Sequence, residues 1–334
     1  MGKLGRVFGL DKKGRIGLTL DKHAYIAGEL VCGTIYVEVY ESIQCDALVL
    51  KASGKEKVEF TYVRTETDAE GHTQTHREQL ECDKEFFKHK IVISAMPHAY
   101  EPGKYMYPFE YQLPPELPGV FKLEHFSEGG VENLSAKIKY KFKATLDVGG
   151  FFSTDLKAEC NLVVHERLFQ AIQPSEDSTT QDVRFLCCFN KGTCSLAVAM
   201  DKNVYLPGET ANIQCHIQNG STVNVDRMRC ILFQDVTVLL KHHGRRTFTR
   251  QICTRDFPGV PPGAALEQPQ PLELSAKQPS TTGELIKCAY RIVVECDIPW
   301  CPDVQLRMPV VLIAPELPST AWAPPSNDGF ALPH

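Results

Sequence analysis

Four lysines alternate with apolar residues along one short segment of the chain. They are Lys137, Lys139, Lys141 and Lys143, in the run KIKYKFKATL that begins at Lys137. Side chains two residues apart share one face of a β-strand, so this spacing predicts a row of ammonium groups opposite a buried apolar row. Such a row attracts anions, including phosphorylated or acidic peptide tails and anionic lipid headgroups. The alternative is a solvated strand face whose charges discourage edge pairing.

A second basic cluster occurs later in the chain, in the run KHHGRR and shortly after it. Its members are Lys241, His242, His243, Arg245, Arg246 and Arg250. The flanking runs 236–240 and 248–253 have the character of strands, which predicts a hairpin tip. A tip of this charge could contact an anionic membrane surface, where each Lys or Arg is worth roughly 1 kcal/mol. An ordinary charged loop is the alternative.

Signatures of catalysis are missing from the sequence. It contains no GxSxG, GxxxxGK[ST], GxGxxG or HExxH motif. Among the 13 cysteines no CxxC pair occurs, although structural zinc sites usually place their ligands in such closely spaced pairs. His72 and His76 are four residues apart, but their polar surroundings indicate a solvated hairpin loop. We therefore expect no enzyme, no cofactor and no metal site, with a thiol-dependent enzyme as a remote alternative.

The elements that must position these residues are β-strands. The lysine row lies opposite apolar positions, and the run from Ile286 to Cys296 alternates in the same way. Asn219-Gly220 is a hairpin-turn signal between two further runs. The 22 prolines and 23 glycines are spread along the chain and would interrupt long helices. Many short strands separated by turn signals predict antiparallel β-sandwiches.

An internal repeat shows that the chain is duplicated. DKHAYIAGE, from Asp21 to Glu29, recurs as DKNVYLPGE, from Asp201 to Glu209, at an offset of 180 residues. An apolar segment precedes each copy and an alternating one follows it. The offset is too long for a solenoid repeat, so it predicts two related domains, each opening with strand, turn and strand. Glycine in each copy suits a turn that needs positive φ.

Composition shifts divide the chain. We expect an N-terminal sandwich at 1–170, a polar linker at 171–182, a C-terminal sandwich at 183–314 and a proline-rich tail at 315–334. The stretch 257–280 is rich in Pro, Gly and Gln and predicts a long loop within the second domain.

Overall composition indicates a packed protein: apolar residues make up 43% and charged residues 23%. The formal net charge of −5 argues against a nucleic-acid-binding protein, which is normally basic. No window offers the ~18 consecutive apolar residues of a membrane-spanning helix, and the N-terminal residues lack the apolar core of a secretory signal. We therefore expect a cytoplasmic protein with mostly free, buried thiols.

Five segments in order along the chain resemble the arrestin superfamily, and most closely the α-arrestins, the arrestin-domain-containing proteins. The opening hairpin YIAGELVCGTIYVEV starts at Tyr25, and YPFEYQLP starts at Tyr107. The strand from Ile138 to Asp147 comes next. CCFNKGTCSLAVAMDKNVYLPGE, from Cys187, is similar to the family's C-domain opening, and DIPWCPDVQLRMPVVLI, from Asp297, to its ending.

The resemblance implies two tandem immunoglobulin-like β-sandwiches and a non-enzymatic adaptor or scaffold. Such an adaptor binds cytosolic tails of membrane proteins and links them to endocytic, endosomal or ubiquitination machinery, at the plasma membrane or endosomes. Typical α-arrestins carry PPxY motifs that bind WW domains, whereas residues 324–327 here read PPSN. The alternative within this fold is a retromer-type sorting subunit of a coat.

Overall fold

The structure is a computed structural model that describes residues 7–11, 13–67, 69–95, 99–148, 155–186 and 188–315. Within these ranges all regular secondary structure is β-strand, arranged in two successive sandwich domains. The expected all-β fold of two tandem sandwiches is confirmed. Among the described residues there is no helix long and apolar enough to cross a membrane.

The described residues of the N-terminal domain form twelve strands: β1 (Val7–Asp11), β2 (Gly14–Leu20), β3 (Tyr25–Ile26), β4 (Leu30–Val39), β5 (Ile43–Thr67), β6 (Thr73–Ala95), β7 (Ala99–Tyr100), β8 (Gly103–Gln112), β9 (Phe121–Glu128), β10 (Val131–Val148), β11 (Leu156–Leu162) and β12 (Val164–His165). One sheet has the order β1-β2-β4-β8. The other has the order β11-β10-β5-β6, with β7 paired to β5 and β9 to β10. The short strands β3 and β12 pair in parallel.

The core of this domain lies between its two sheets. Ile138, Tyr140 and Phe142 on β10 are each 1% exposed. The ring of Phe142 meets Phe109 and Tyr111 of β8 edge to face, with centroids 5.6 and 5.4 Å apart. The period-two prediction for this segment is therefore confirmed, and the lysines of β10 lie on the solvent side of the six-stranded sheet.

In the C-terminal domain, the part of the chain that the structure describes forms the other twelve strands: β13 (Ser175–Phe185), β14 (Phe189–Met200), β15 (Val204–Tyr205), β16 (Thr210–Ala211), β17 (Ile213–Asn219), β18 (Val225–Leu240), β19 (Gly244–Val260), β20 (Ala265–Pro269), β21 (Leu272–Glu273), β22 (Thr281–Thr282), β23 (Ile286–Asp297) and β24 (Val304–Leu312). Its sheets have the orders β13-β14-β17-β20 and β15-β24-β23-β18-β19, with β22 paired to β23. A short pair, β16 and β21, completes the domain.

The repeated sequence forms the same corner in both domains. In each, the tyrosine hydroxyl donates to the aspartate four residues before it, and the lysine forms an ion pair with the glutamate. These side chains are Asp21, Lys22, Tyr25 and Glu29 in the first domain and Asp201, Lys202, Tyr205 and Glu209 in the second. Gly28 and Gly208 have φ of 82° and 83°, as expected for a left-handed turn. The repeat therefore has a structural role.

Three local expectations from the sequence are wrong. The stretch 171–182 is mostly not a linker, because β13 begins at Ser175 and pairs with β14. The composition of β13 is polar because it is an edge strand with little buried surface. Asn219-Gly220 joins no hairpin, since β17 and β18 belong to opposite sheets. The predicted loop at 257–280 contains β20, β21 and the end of β19. Residues 316–334 lie outside the described residues.

Candidate functional site

The predicted lysine row lies on β10, a central strand of the six-stranded sheet. Lys139 and Lys141 are exposed, and Lys137 and Lys143 are half-buried. Because β10 is paired on both sides, the row lies on a rigid surface rather than on a loop. The alternation of side chains on a strand is what brings the four ammonium groups to one side.

Two carboxylates partly neutralise the row. Nζ of Lys137 lies 2.5 Å from Oε1 of Glu124. Glu159 of β11 accepts from Lys143 at 2.7 Å and from Lys141 at 3.3 Å. Hydrogen bonds from Lys122 and Lys137 lower the pKa of Glu124 to about 2, and those from Lys143 and Lys141 also lower the pKa of Glu159. Both carboxylates therefore stay charged at neutral pH.

The basic surface also includes a neighbouring strand that the sequence analysis did not single out. Across the register of β10 and β5, Lys137 faces Lys57, Lys139 faces Lys55 and Lys143 faces Lys51. The run KASGKEKVEF does carry lysines at alternating positions, so a signal was present. What the sequence lacks is the pairing register, which alone reveals that the two rows lie side by side.

The second basic cluster lies at the turn between β18 and β19, at the tip of the predicted hairpin. There it contacts the N-terminal domain. The imidazole of His243 stacks on the ring of Tyr62, with centroids 3.8 Å apart. Nη1 of Arg246 donates to the carbonyl of Gly129 at 2.7 Å. These two side chains therefore hold the domains together at this tip.

The remaining members of that cluster face other surroundings. Arg245 donates to the carbonyl of Glu284 at 2.8 Å, and Arg250 donates to Oε1 of Gln234 at 2.8 Å. Lys241 and His242 are exposed at the turn. The structure thus brings the six residues to one hairpin, but it separates those at the domain contact from those facing solvent. Contact with a membrane surface remains a prediction for Lys241 and His242.

A buried carboxylate joins the two domains. Glu56 of β5 is 0% exposed, although β5 belongs to the N-terminal domain. It accepts hydrogen bonds from three successive backbone N–H groups of the C-terminal domain, those of Glu284 (2.9 Å), Leu285 (2.9 Å) and Ile286 (3.2 Å). A Cβ on Gly283 would lie 2.4 Å from Oε2 of Glu56, so this close approach requires glycine. Burial raises the pKa of Glu56, and the three N–H groups oppose the shift.

Glu166 makes a second contact of this kind. Its Oε2 accepts from the backbone N–H of Thr282 at 2.6 Å, and burial raises its pKa. The hydroxyl of the adjacent Thr281 accepts from the backbone N–H of Gly119 at 2.7 Å. At the rim, Lys84 pairs with Glu284 at 3.1 Å. Together with Glu56, these contacts define the domain junction, which sequence reasoning missed because its partners are far apart along the chain.

The thiols and histidines offer no comparable site. The twelve described cysteines are free, and burial raises the pKa of Cys45 and Cys288 to about 11. Such thiols stay protonated at neutral pH, where a nucleophile must be a thiolate. His72 lies in the turn between β5 and β6, and His76 lies on β6. No three His, Cys, Asp or Glu side chains in the described part of the chain are arranged to hold a metal ion. Cys187 lies outside the described residues.

Comparison with known proteins gives the same family for both domains. Residues 15–168 match the family Arrestin (or S-antigen), N-terminal domain, and residues 190–317 match Arrestin (or S-antigen), C-terminal domain. The resemblance seen in the sequence is thereby confirmed over most of the chain.

Individual relatives extend the comparison. Arrestin domain-containing protein A of Dictyostelium discoideum is 30% identical over 334 residues, covering 97% of this chain and 55% of that protein. Arrestin domain-containing protein B of the same organism is 24% identical over 88% of this chain and 45% of its own. Phosrestin-1 of Drosophila melanogaster is 21% identical over 49% of this chain and 40% of its own. The chain spans about half the length of the curated relatives that it matches. With both sandwich domains matched in order, the chain belongs to the arrestin-domain family.

Proposed function

We propose that this protein is an arrestin-like adaptor that binds cytosolic tails of membrane receptors or transporters. It links them to endocytic or endosomal trafficking or to ubiquitination machinery. The observation that carries the proposal is the match of both arrestin domains, because adaptor function is the coarse property that the family supports. The basic face of the six-stranded sheet supplies a surface on which acidic tail segments could bind.

Edge strands offer a second element of recognition. In the described residues β6 ends the order β11-β10-β5-β6, so its outer edge is open to pairing. An extended cargo segment could add to such an edge through main-chain hydrogen bonds, and nearby basic residues would favour acidic sequences. The open edge of β6 and the basic face belong to the same sheet, so one cargo segment could contact both.

The test is affinity capture from cells followed by mass spectrometry, with the full chain as bait. We expect membrane receptors, transporters or endosomal proteins among the captured proteins. Their complete absence would contradict the proposal. Microscopy of a fluorescently tagged chain provides a second readout, with enrichment at the plasma membrane or endosomes as the expected result.

A further inference from the structure

Four cysteines meet in the core of the C-terminal sandwich. Cys194 of β14 and Cys215 of β17 belong to its four-stranded sheet, whereas Cys230 of β18 and Cys296 of β23 belong to the facing sheet. All four are 0% exposed. Hydrogen bonds between thiols join Cys194 to Cys296 and Cys215 to Cys230. Each pair therefore bridges the two sheets of the domain.

A pair of contacting thiols on opposite sheets is the arrangement from which an inter-sheet disulfide forms. Antibody domains, which share the sandwich architecture, carry a disulfide between two facing strands of their core. Burial alone does not create such a pair. Cys288 lies on the same strand as Cys296 and is equally buried, but its sulfur accepts from Nε2 of Gln234 at 3.3 Å. The contact between two cysteines distinguishes the four residues from a thiol that only fills space.

The two pairs differ in their position within the sandwich. Cys194 is opposite Asn219, the last residue of β17, and Cys296 is the penultimate residue of β23. Cys230 lies inside β18, where its thiol also donates to Oε1 of the fully buried Gln270 at 3.3 Å. Strand ends open at a lower free energy than strand interiors. A small oxidant should therefore reach Cys194 and Cys296 before it reaches Cys230.

The surroundings also give the two pairs different reactivity. The thiol of Cys296 donates to the sulfur of Cys194, and this hydrogen bond lowers the pKa of Cys194. The hydrogen bond with Cys215 and burial both raise the pKa of Cys230. The thiolate is the form of cysteine that attacks an oxidant. Cys194 is therefore the better nucleophile, and Cys296 is placed to react with it next.

We propose that Cys194 and Cys296 form a reversible inter-sheet disulfide when the chain meets hydrogen peroxide. The thiolate of Cys194 attacks one peroxide oxygen, the O–O bond breaks, and the departing hydroxide takes up the proton that Cys194 released. The sulfur of Cys296 then attacks the resulting sulfenic acid, loses its own proton and displaces a second water. The two thiols lose two electrons together, and the peroxide is reduced to two waters. A dithiol reductant reverses the bond by thiol–disulfide exchange.

The disulfide would make the stability of one domain depend on oxidation. It joins β14 to β23 and closes a loop of about 100 residues, which contains most of the C-terminal sandwich. A closed loop of this length restricts the unfolded chain and so favours the folded domain. The reduced domain is already folded, so the bond adds stability without changing the fold.

Peptide mapping tests the bond in the full chain. The protein is treated with hydrogen peroxide, its remaining thiols are alkylated with N-ethylmaleimide, and it is digested with trypsin without reduction. Cleavage after Lys and Arg places Cys194 in the peptide 192–202, Cys230 in 230–241, and Cys296 together with Cys301 in 292–307. We expect mass spectrometry to find 192–202 linked to 292–307, with fragmentation assigning the bond to Cys296. This link should form about tenfold faster than one between Cys215 and Cys230.

Variants and thermal unfolding give a second readout. Cys296→Ala should abolish the link and leave Cys194 open to alkylation. Cys230→Ala is the matched control, because it removes a buried cysteine from the same sheet and should keep the link. In the wild type, peroxide should raise the midpoint of thermal unfolding by about 10 °C, and dithiothreitol should reverse the rise. The wild-type map and its reversal decide the matter even where a variant fails to fold.

Three results would overturn the proposal. The first is alkylation of Cys194 and Cys296 that persists after peroxide treatment to the same extent as that of Cys230. The second is a bond from Cys194 to Cys301 or to any cysteine other than Cys296. The third is oxidation of Cys194 to a sulfinic acid with no link, which would mean that Cys296 is too far away to react.

Discussion

Lys55 and Lys57 lie two residues apart on the same side of β5, yet their surroundings differ. Lys57 contacts Glu59 and Glu81, each at 2.9 Å, and hydrogen bonds to them raise its pKa. Lys55 lies between Lys139 of β10 and Glu85 of β6 in the register, and the Glu85 carboxylate pairs with Lys88 instead. The two lysines therefore differ in their ion pairs: Lys57 has two, and Lys55 forms none with the described residues.

This difference predicts changes in stability of different size. Lys55→Gln should change the free energy of unfolding by less than about 0.5 kcal/mol, because it removes the repulsion from Lys139 and the attraction to Glu85 together. Lys57→Gln should lower it by up to about 1 kcal/mol, because it removes two partly exposed ion pairs. Urea unfolding followed by circular dichroism measures both. A loss of stability in Lys55→Gln as large as that in Lys57→Gln would contradict this difference.

Glu56 predicts a pH dependence at the residue scale. Burial raises its pKa above the ordinary value of 4.5, so its contribution to stability is fully present below that value and is lost as pH rises through the folded-state pKa. Glu56→Gln lacks this titration. The free energy of unfolding of the wild type minus that of the variant should therefore decrease from pH 4.5 upwards. A difference that increases over this range would mean that the folded state lowers the pKa.

At the scale of elements, the duplicated corner is the clearest feature. Gly28 and Gly208 have nearly the same positive φ, but their surroundings differ. A Cβ on Gly28 would lie 3.2 Å from Cα of Pro115, whereas one on Gly208 would meet nothing within 4 Å. The two positions thus separate the cost of backbone conformation from the cost of crowding.

We expect Gly208→Ala to lower the free energy of unfolding by about 1 kcal/mol, the backbone cost of a left-handed alanine. Gly28→Ala should cost more, because its new methyl group also crowds Pro115. Thermal unfolding of both variants gives the comparison. Gly103→Ala is the matched control, since it has no positive φ and a Cβ there would make only ordinary contacts. Equal losses in all three would rule out the conformational explanation.

Strand alternation and the repeat made much of the fold predictable from the sequence. The lysine side of β10 followed from period-two spacing, and the corner followed from the recurrence of Asp21 and its neighbours at Asp201. The strand β13 could not be recognised, because an edge strand buries few of its side chains and so lacks the apolar signal. Likewise, the pairing of Lys55 with Lys139 depends on a register that joins residues 84 positions apart.

At the scale of the whole molecule, charge is distributed unevenly. The chain carries a net charge of −5, yet one face of the N-terminal domain concentrates lysines on three adjacent strands. A focused field of this kind raises the local concentration of oppositely charged segments and speeds their association. Binding to this face should therefore weaken with added salt more in the association rate than in the dissociation rate.

The domain junction predicts how the two sandwiches respond to one substitution. Glu56→Ala removes the acceptor of three backbone N–H groups, so amide hydrogen exchange at Glu284, Leu285 and Ile286 should become faster. Exchange in β13 and β14 should not change, because neither strand contacts Glu56. Glu66→Gln is the control, since Glu66 lies on the same strand and is exposed. Unchanged exchange at the three amides would show that Glu56 does not hold the domains together.

The junction also bears on how the molecule would behave if its chain were cut between the domains. β5 contributes Ala52 to the core of the first sandwich and Glu56 to a cradle of amide groups in the second. A nick after His165 would break the covalent connection but leave the contacts of Glu56, His243 and Arg246 in place. The two halves should stay associated as complementary fragments. Joined to the two parts of a split reporter, they would form a sensor for anything that separates the domains.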